Sequence, residues 1–91
     1  MKTIWKFPFE TGDVIKIKMP EHAKIIHVET QNKNTPCMWA IVNPEEEQTE
    51  RTFRVYGTGH PMDENVNQEY MGTYLLYGGS LVFHVFWWIN K

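Results

Sequence analysis

Arg54 and Tyr56 alternate along one side of a short extended run that leads directly into Gly57-Thr58-Gly59-His60-Pro61. A guanidinium offers forked donors to a phosphate or a guanine edge, and a phenol can stack or hydrogen-bond. Paired glycines let backbone N–H groups approach an anion closely, and the Thr58 hydroxyl adds one donor. The bland alternatives are a solvent face with an amphipathic cover and an ordinary loop needing positive φ at two positions. With no flanking helix, the loop is neither a P-loop nor a dinucleotide-binding turn. Arg51 and Arg54 are the only arginines, which gives the one beside the glycine loop added interest. Near the N-terminus, Trp5-Lys6 sets a base-stacking plane beside a cation, and Trp39 supplies a further plane. A core tryptophan beside a surface lysine is the competing reading of that pair.

Residue types suited to bond chemistry do not assemble into a set. His22, His27, His60 and His84 lack the i, i+4 helical spacing of a zinc pair, and no carboxylate-rich run joins them. Cys37 can be a nucleophile beside a histidine or plain core. Ser80 sits in a Gly-Gly-Ser turn, outside the strand–turn–helix setting of a nucleophile elbow. Glu45, Glu46 and Glu47 read as a solvated loop. The expectation is a binding protein, not an enzyme, with no cofactor and no metal site.

Short β-branched and aromatic runs separated by turn residues must position these groups. Strands are expected at Ile4 to Phe9, Val14 to Met19, Lys24 to Thr30, Cys37 to Val42, Arg51 to Tyr56, Tyr70 to Tyr77 and Leu81 to Asn90. Within them Ile15, Ile17 and Met19 share a face, Ile26 and Val28 oppose His27 and Glu29, and Phe53 and Val55 oppose Arg54 and Tyr56. Gly78-Gly79-Ser80 turns the last two strands onto each other. Helical periodicity is missing; one short turn around Asp63 to Glu69 is the only place left for it. The pattern predicts an all-β fold, a small antiparallel β-sandwich or barrel of about seven strands, with residues 1–91 as a single domain.

Trp87 and Trp88 are adjacent on a strand and must point to opposite faces. Phe83, Val85, Trp87 and Ile89 share one face, which leaves Phe86 and Trp88 on the other. Apolar groups on both faces of a terminal strand predict a subunit interface or a ligand platform. A chain of 91 residues has a thin core, for which aromatic content of 14% and self-association are two remedies. A formal charge of −2 argues against duplex nucleic acid as a partner. The lone cysteine leaves no intrachain disulfide and fits a reducing, intracellular setting. No signal peptide or bilayer-spanning run is apparent, so no membrane partner is expected.

Ile4-Trp5-Lys6-Phe7, Met19-Pro20 with Ala23-Lys24-Ile25, Pro36-Cys37 with Trp39-Ala40, Gly57-Thr58-Gly59-His60-Pro61, Gly72-Thr73 and Leu81-Val82-Phe83-His84-Val85-Phe86 together resemble a widespread family of short phage-encoded proteins. The resemblance runs nearly end to end and in order. It is to the viral nucleotide sponges that counter CBASS-type antiphage immunity. It implies an anti-CBASS, immune-evasion protein that sequesters a cyclic dinucleotide signal such as 3′,3′-cGAMP without cleaving it. It also implies a homo-oligomer, dimer or tetramer, in the cytoplasm of the infected bacterial host. The ligand-binding residues would then be Trp5, Lys6, Trp39, Arg54, Tyr56, Gly57, Thr58, Gly59 and His60. The charge balance fits a dianion poorly, so its donors would be local or shared between subunits. A rival expectation is a phage-encoded inhibitor of a host defence protein, acting through a protein–protein interface on the Trp87/Trp88 strand. A small nucleotide enzyme using His60 as acid or base is the third.

Overall fold

In the computed structural model, which describes residues 1–89, the alternating runs become seven strands. These are β1 (Thr3–Pro8), β2 (Val14–Pro20), β3 (Lys24–Gln31), β4 (Thr35–Val42), β5 (Gln48–Gly57), β6 (Gln68–Leu76) and β7 (Leu81–Trp88). Asn90, expected at the end of the last strand, lies outside the described residues. The strands form two antiparallel sheets, ordered β1-β4-β3 and β2-β5-β7-β6. No described helix is long and apolar enough to cross a membrane.

The core lies between the sheets and follows the period-2 pattern. Met38, Ala40 and Val42 of β4 meet Phe53 and Val55 of β5, with Ile15, Met19, Tyr74 and Val85 completing the layer. Tyr74 is fully buried, edge-on to Phe9 at 5.6 Å and stacked on Phe83 at 5.5 Å. Its hydroxyl lies 2.9 Å from that of Thr11. Burial raises the phenol above its ordinary pKa, and the Thr11 bond opposes that shift.

β3 departs from simple alternation. A register shift between Ile25 and His27 inserts one residue, and an inserted residue reverses which side chains face inward. Ile25 therefore packs against the core and Ile26 is 44% exposed, the reverse of the expected pairing of Ile26 with Val28. The sheets approach each other at β3 and β6. There the Thr30 hydroxyl donates to the Leu75 carbonyl, and a Cβ on Gly72 would lie 2.7 Å from Val28 Cγ2. Only glycine lets the backbones come that close.

The short helical turn allowed for around Asp63 to Glu69 does not form. These residues are irregular until Gln68, where β6 begins. Among the described residues the one short helical turn is a 3₁₀ turn at Tyr77–Gly79, where the chain reverses between β6 and β7.

Candidate functional site

Directly opposed residues of an antiparallel pair share a face, so register alone assembles a patch on the outward side of the four-stranded sheet. Arg54 of β5 opposes Phe86 of β7, which opposes Tyr70 of β6; Tyr56 opposes His84, which opposes Thr73. Tyr70 and Thr73 are three apart in sequence and would face opposite ways in a regular strand. A register shift between Tyr70 and Gly72 turns both outward and sends Met71 toward the core.

Residues 58–67 fold back over this patch. The loop begins with a turn in which His60 N donates to the Gly57 carbonyl at 3.0 Å. Gly59, third of the four residues, has φ 88°, the position and sign a type II turn reserves for glycine. Positive φ is thus needed at Gly59 alone, not at two positions. Gly57 serves a different purpose: a Cβ there would lie 2.9 Å from the His60 ring, which packs over its backbone. Thr58 N donates to the Val82 carbonyl at 3.1 Å. With the Thr58 and His60 amides bonded inside the chain, the loop is not an amide cradle for an anion.

Farther along, Asp63 ties the loop to the sheet. The Tyr56 hydroxyl lies 2.9 Å from Asp63 Oδ2 and 3.1 Å from Gln68 Oε1, and Arg54 Nε donates to Asp63 Oδ2 at 3.1 Å. Arg54 Nη1 also donates to the Asp13 and Val55 carbonyls, at 3.0 and 2.9 Å, and its Cζ rests 4.4 Å from the Tyr56 ring centre. Trp88 Nε1 donates to Gln68 Oε1 at 2.8 Å. The Tyr56 hydroxyl first, and then Arg54, hold the Asp63 carboxyl below the usual aspartate pKa. Arg54 is thus a brace beneath the site, stacked on one wall residue and committed to three internal acceptors.

Between loop and sheet is a cleft of about 240 Å³. Tyr56, Tyr70 and Phe86 give it aromatic walls, with both tyrosine rings 5.6 Å from that of Phe86. Thr58, His60 and His84 supply its polar groups, and none of its described lining residues is Lys, Arg, Asp or Glu. His84 is bonded on both sides, Nε2 to Thr58 Oγ1 at 2.8 Å and Nδ1 to Thr73 Oγ1 at 3.0 Å. The Tyr70 hydroxyl lies 2.7 Å from Thr73 Oγ1. Larger concavities of about 520 and 620 Å³ lie beside Phe9 and Tyr77 and beside Lys2 and Lys24. The first is lined by Glu10, Thr11, Asn34 and Thr35 beside its two rings, and the second has no aromatic ring other than His22; neither includes a residue of the Gly57–His60 turn.

The structure therefore unites Arg54, Tyr56, Gly57, Thr58, Gly59 and His60. It adds Tyr70, Thr73, His84 and Phe86, which sequence reasoning did not place in the site. Trp5, Lys6 and Trp39 belong to the three-stranded sheet. Lys6 opposes Trp39 on its outward face, where Lys6 Nζ donates to Gln31 at 2.9 Å and the His27 ring lies 5.8 Å from Trp39. Trp5 opposes Ala40 and so shares the inward side with Phe7, 6.4 Å between ring centres. Trp87 packs against the core with the Arg51 guanidinium 4.4 Å from its ring centre. Cys37 is buried.

One group of potential metal ligands forms across two turns: Glu21, His22 and Glu46, with ligand atoms within 4.8 Å of one another. The His22 side chain is 78% exposed and its Nδ1 lies 4.0 Å from Glu46. Sequence spacing had left His22 without a carboxylate partner, because Glu46 arrives from the β4–β5 connection.

Over residues 1–90 the chain matches the family model described as a domain of unknown function, DUF7352, and it belongs to that family. No curated protein and no solved structure matches it.

Proposed function

We propose that this chain is a nucleotide sponge: it holds a cyclic dinucleotide such as 3′,3′-cGAMP intact in the cleft under the Gly57–His60 turn. On this reading it blunts CBASS-type antiphage defence in the cytoplasm of an infected bacterium. The observation that carries the reading is the cleft itself, with three aromatic rings and three hydrogen-bonding side chains converging on one small space. Aromatic planes with a few placed polar groups suit a heteroaromatic ligand.

The size of the cleft bears on assembly. About 240 Å³ falls below the roughly 300–1,000 Å³ typical of pockets for drug-sized ligands. One chain would therefore cover part of a cyclic dinucleotide, and a second copy would cover the rest. Homo-oligomers with two-fold symmetry are the common way to present two equal half-sites. The phosphates then fall at the rim, where the partner chain or solvent meets them.

The rival enzyme reading rests on His60 in the sequence; the contact that would favour an enzyme lies instead at His84, whose Nε2 meets the Thr58 hydroxyl. In serine-type triads a carboxylate on the far nitrogen stabilises the imidazolium. Here the neutral hydroxyl of Thr73 occupies that place, so the arrangement serves recognition better than proton transfer.

Calorimetric titration with a panel of cyclic di- and trinucleotides tests the proposal, followed by recovery of the ligand. Saturable heat with 3′,3′-cGAMP or a relative, one ligand per two chains and the ligand returned unchanged, is the expected result. Absence of heat across the panel overturns it. Chemically altered ligand would move the protein into the enzyme class.

A further inference from the structure

The cleft is uncharged along its described lining, and three of its lining residues, Thr58, His84 and Tyr70, are joined through Thr73 behind them in a chain of four side chains whose hydrogen bonds can reverse. From Thr58 Oγ1 it runs to His84 Nε2 at 2.8 Å, from His84 Nδ1 to Thr73 Oγ1 at 3.0 Å, and from Thr73 Oγ1 to the Tyr70 hydroxyl at 2.7 Å. A neutral imidazole carries one N–H, so one ring nitrogen donates and the other accepts. A hydroxyl both donates and accepts. With the proton on Nε2, Thr73 must donate to Nδ1 and Tyr70 to Thr73; with it on Nδ1, Thr73 is free to donate to Tyr70, so the proton on His84 sets which directions are open.

With the proton on Nδ1, His84 donates to Thr73, Thr73 donates to Tyr70, and the Tyr70 O–H is left to point into the cleft as a donor. Thr58 then donates to Nε2. With the proton on Nε2, His84 donates to Thr58, whose own hydrogen can turn to the Val82 carbonyl at 3.4 Å. Thr73 now donates to Nδ1 and Tyr70 donates to Thr73, so the Tyr70 oxygen meets the cleft as an acceptor. Every bond in both directions has a partner in place, and the far end has an outlet in Val82. Tyr70 is 56% exposed and borders the cleft, so its outer lone pair or hydrogen is accessible to a ligand.

We propose that His84 is the tautomeric switch of this relay, letting the cleft read either the amino or the carbonyl edge of a single purine ring. The inference rests on the cleft being a nucleobase site, as above, and adds what is recognised: the uncharged base and not its phosphates. It predicts tolerance where a fixed donor or fixed acceptor would discriminate. A site with one fixed polarity leaves a buried group unpaired when the wrong edge arrives, and that asymmetry is what usually separates related ligands. It also predicts that binding of a neutral nucleoside is little affected by salt, because no ion pair forms.

The test uses adenosine and inosine, which differ at the six position as amino donor and carbonyl acceptor, with ¹⁵N spectra of the histidine side chains of the intact protein. Both nucleosides should bind within about tenfold of each other, with similar affinity at low and high salt. His84 should carry its proton on opposite ring nitrogens in the two complexes. In Thr73→Val, which cuts the relay, the His84 tautomer should no longer follow the ligand. The same tautomer in both complexes, or a preference above about a hundredfold, overturns the inference. If 3′,3′-cGAMP binds and neither nucleoside does, the base-centred inference falls and the sponge reading stands. If the nucleosides bind with the tautomer change and no cyclic dinucleotide binds, the sponge reading falls and the switch stands.

Discussion

On the outward face of the four-stranded sheet, Tyr56 is 3% exposed and Arg54, Phe86 and Trp88 are half-buried. On the outward face of the three-stranded sheet, Ile4 is 55% exposed, and exposed Lys6 and His27 stand on either side of a half-buried Trp39. Both faces start from the same alternation of apolar and polar residues. What differs is the connection that follows: residues 58–67 fold back over β5 and β7, while the β3–β4 turn spans only residues 32–34. A strand's outer face is buried when a neighbouring loop carries side chains able to bond to it. Asp63 does this for Arg54 and Tyr56.

Substitution of the central ring on each face sharpens that contrast most. Tyr56→Ala should cost about 3–5 kcal/mol, as for other large aromatic truncations in packed surroundings. Trp39→Ala should cost less, about 2–3 kcal/mol, because that ring is only half-buried. Denaturant midpoints compare them, and equal losses would erase the distinction between the faces.

Acid should act on the covered face next. The folded pKa of Asp63 lies below its unfolded value, near 3.9 for an ordinary aspartate. Its contribution to stability is therefore complete above that unfolded value and drains away as pH falls through the lower folded one. Unfolding free energy measured from pH 7 to pH 2 should show an acid limb that Asp63→Asn flattens, with the variant less stable than the native chain at neutral pH. An unchanged limb would mean that Asp63 does not tie the loop down.

Lys6→Ala should do least, within about 0.5 kcal/mol for an exposed side chain with one surface hydrogen bond. Nucleotide affinity should stay the same. A tenfold loss would join the open face to the cleft and revive the grouping of Lys6 and Trp39 with Arg54.

The strands were legible because Phe53/Val55 and Ile15/Ile17/Met19 keep period 2, and because Cys37–Val42 is a continuous apolar run bounded by turn residues. Alternation failed at Ile25–His27, where a bulge reverses parity, and two adjacent isoleucines give no sign of which one faces inward. The Gly57–His60 loop was visible as a site because glycine placement reports backbone needs locally. Tyr70, Thr73, His84 and Phe86 were not, since their meeting depends on the register of β6 on β7 and β7 on β5. Arg54 reads in the sequence as a ligand donor and instead bonds to Asp63 and two carbonyls; Asp63 sits in the stretch with least pattern, where no periodicity locates a side chain.

Sheet order also carries a consequence for synthesis. The three-stranded sheet draws only on residues 3–42, whereas β2, finished at Pro20, pairs only with β5, which ends at Gly57. At about 5–20 residues per second, a nascent chain leaves β2 without its partner for several seconds. An unpaired strand invites neighbouring chains, and lysines along it deter them. Lys16 and Lys18 stand on β2, so they guard the protein while it is being made as well as after it has folded.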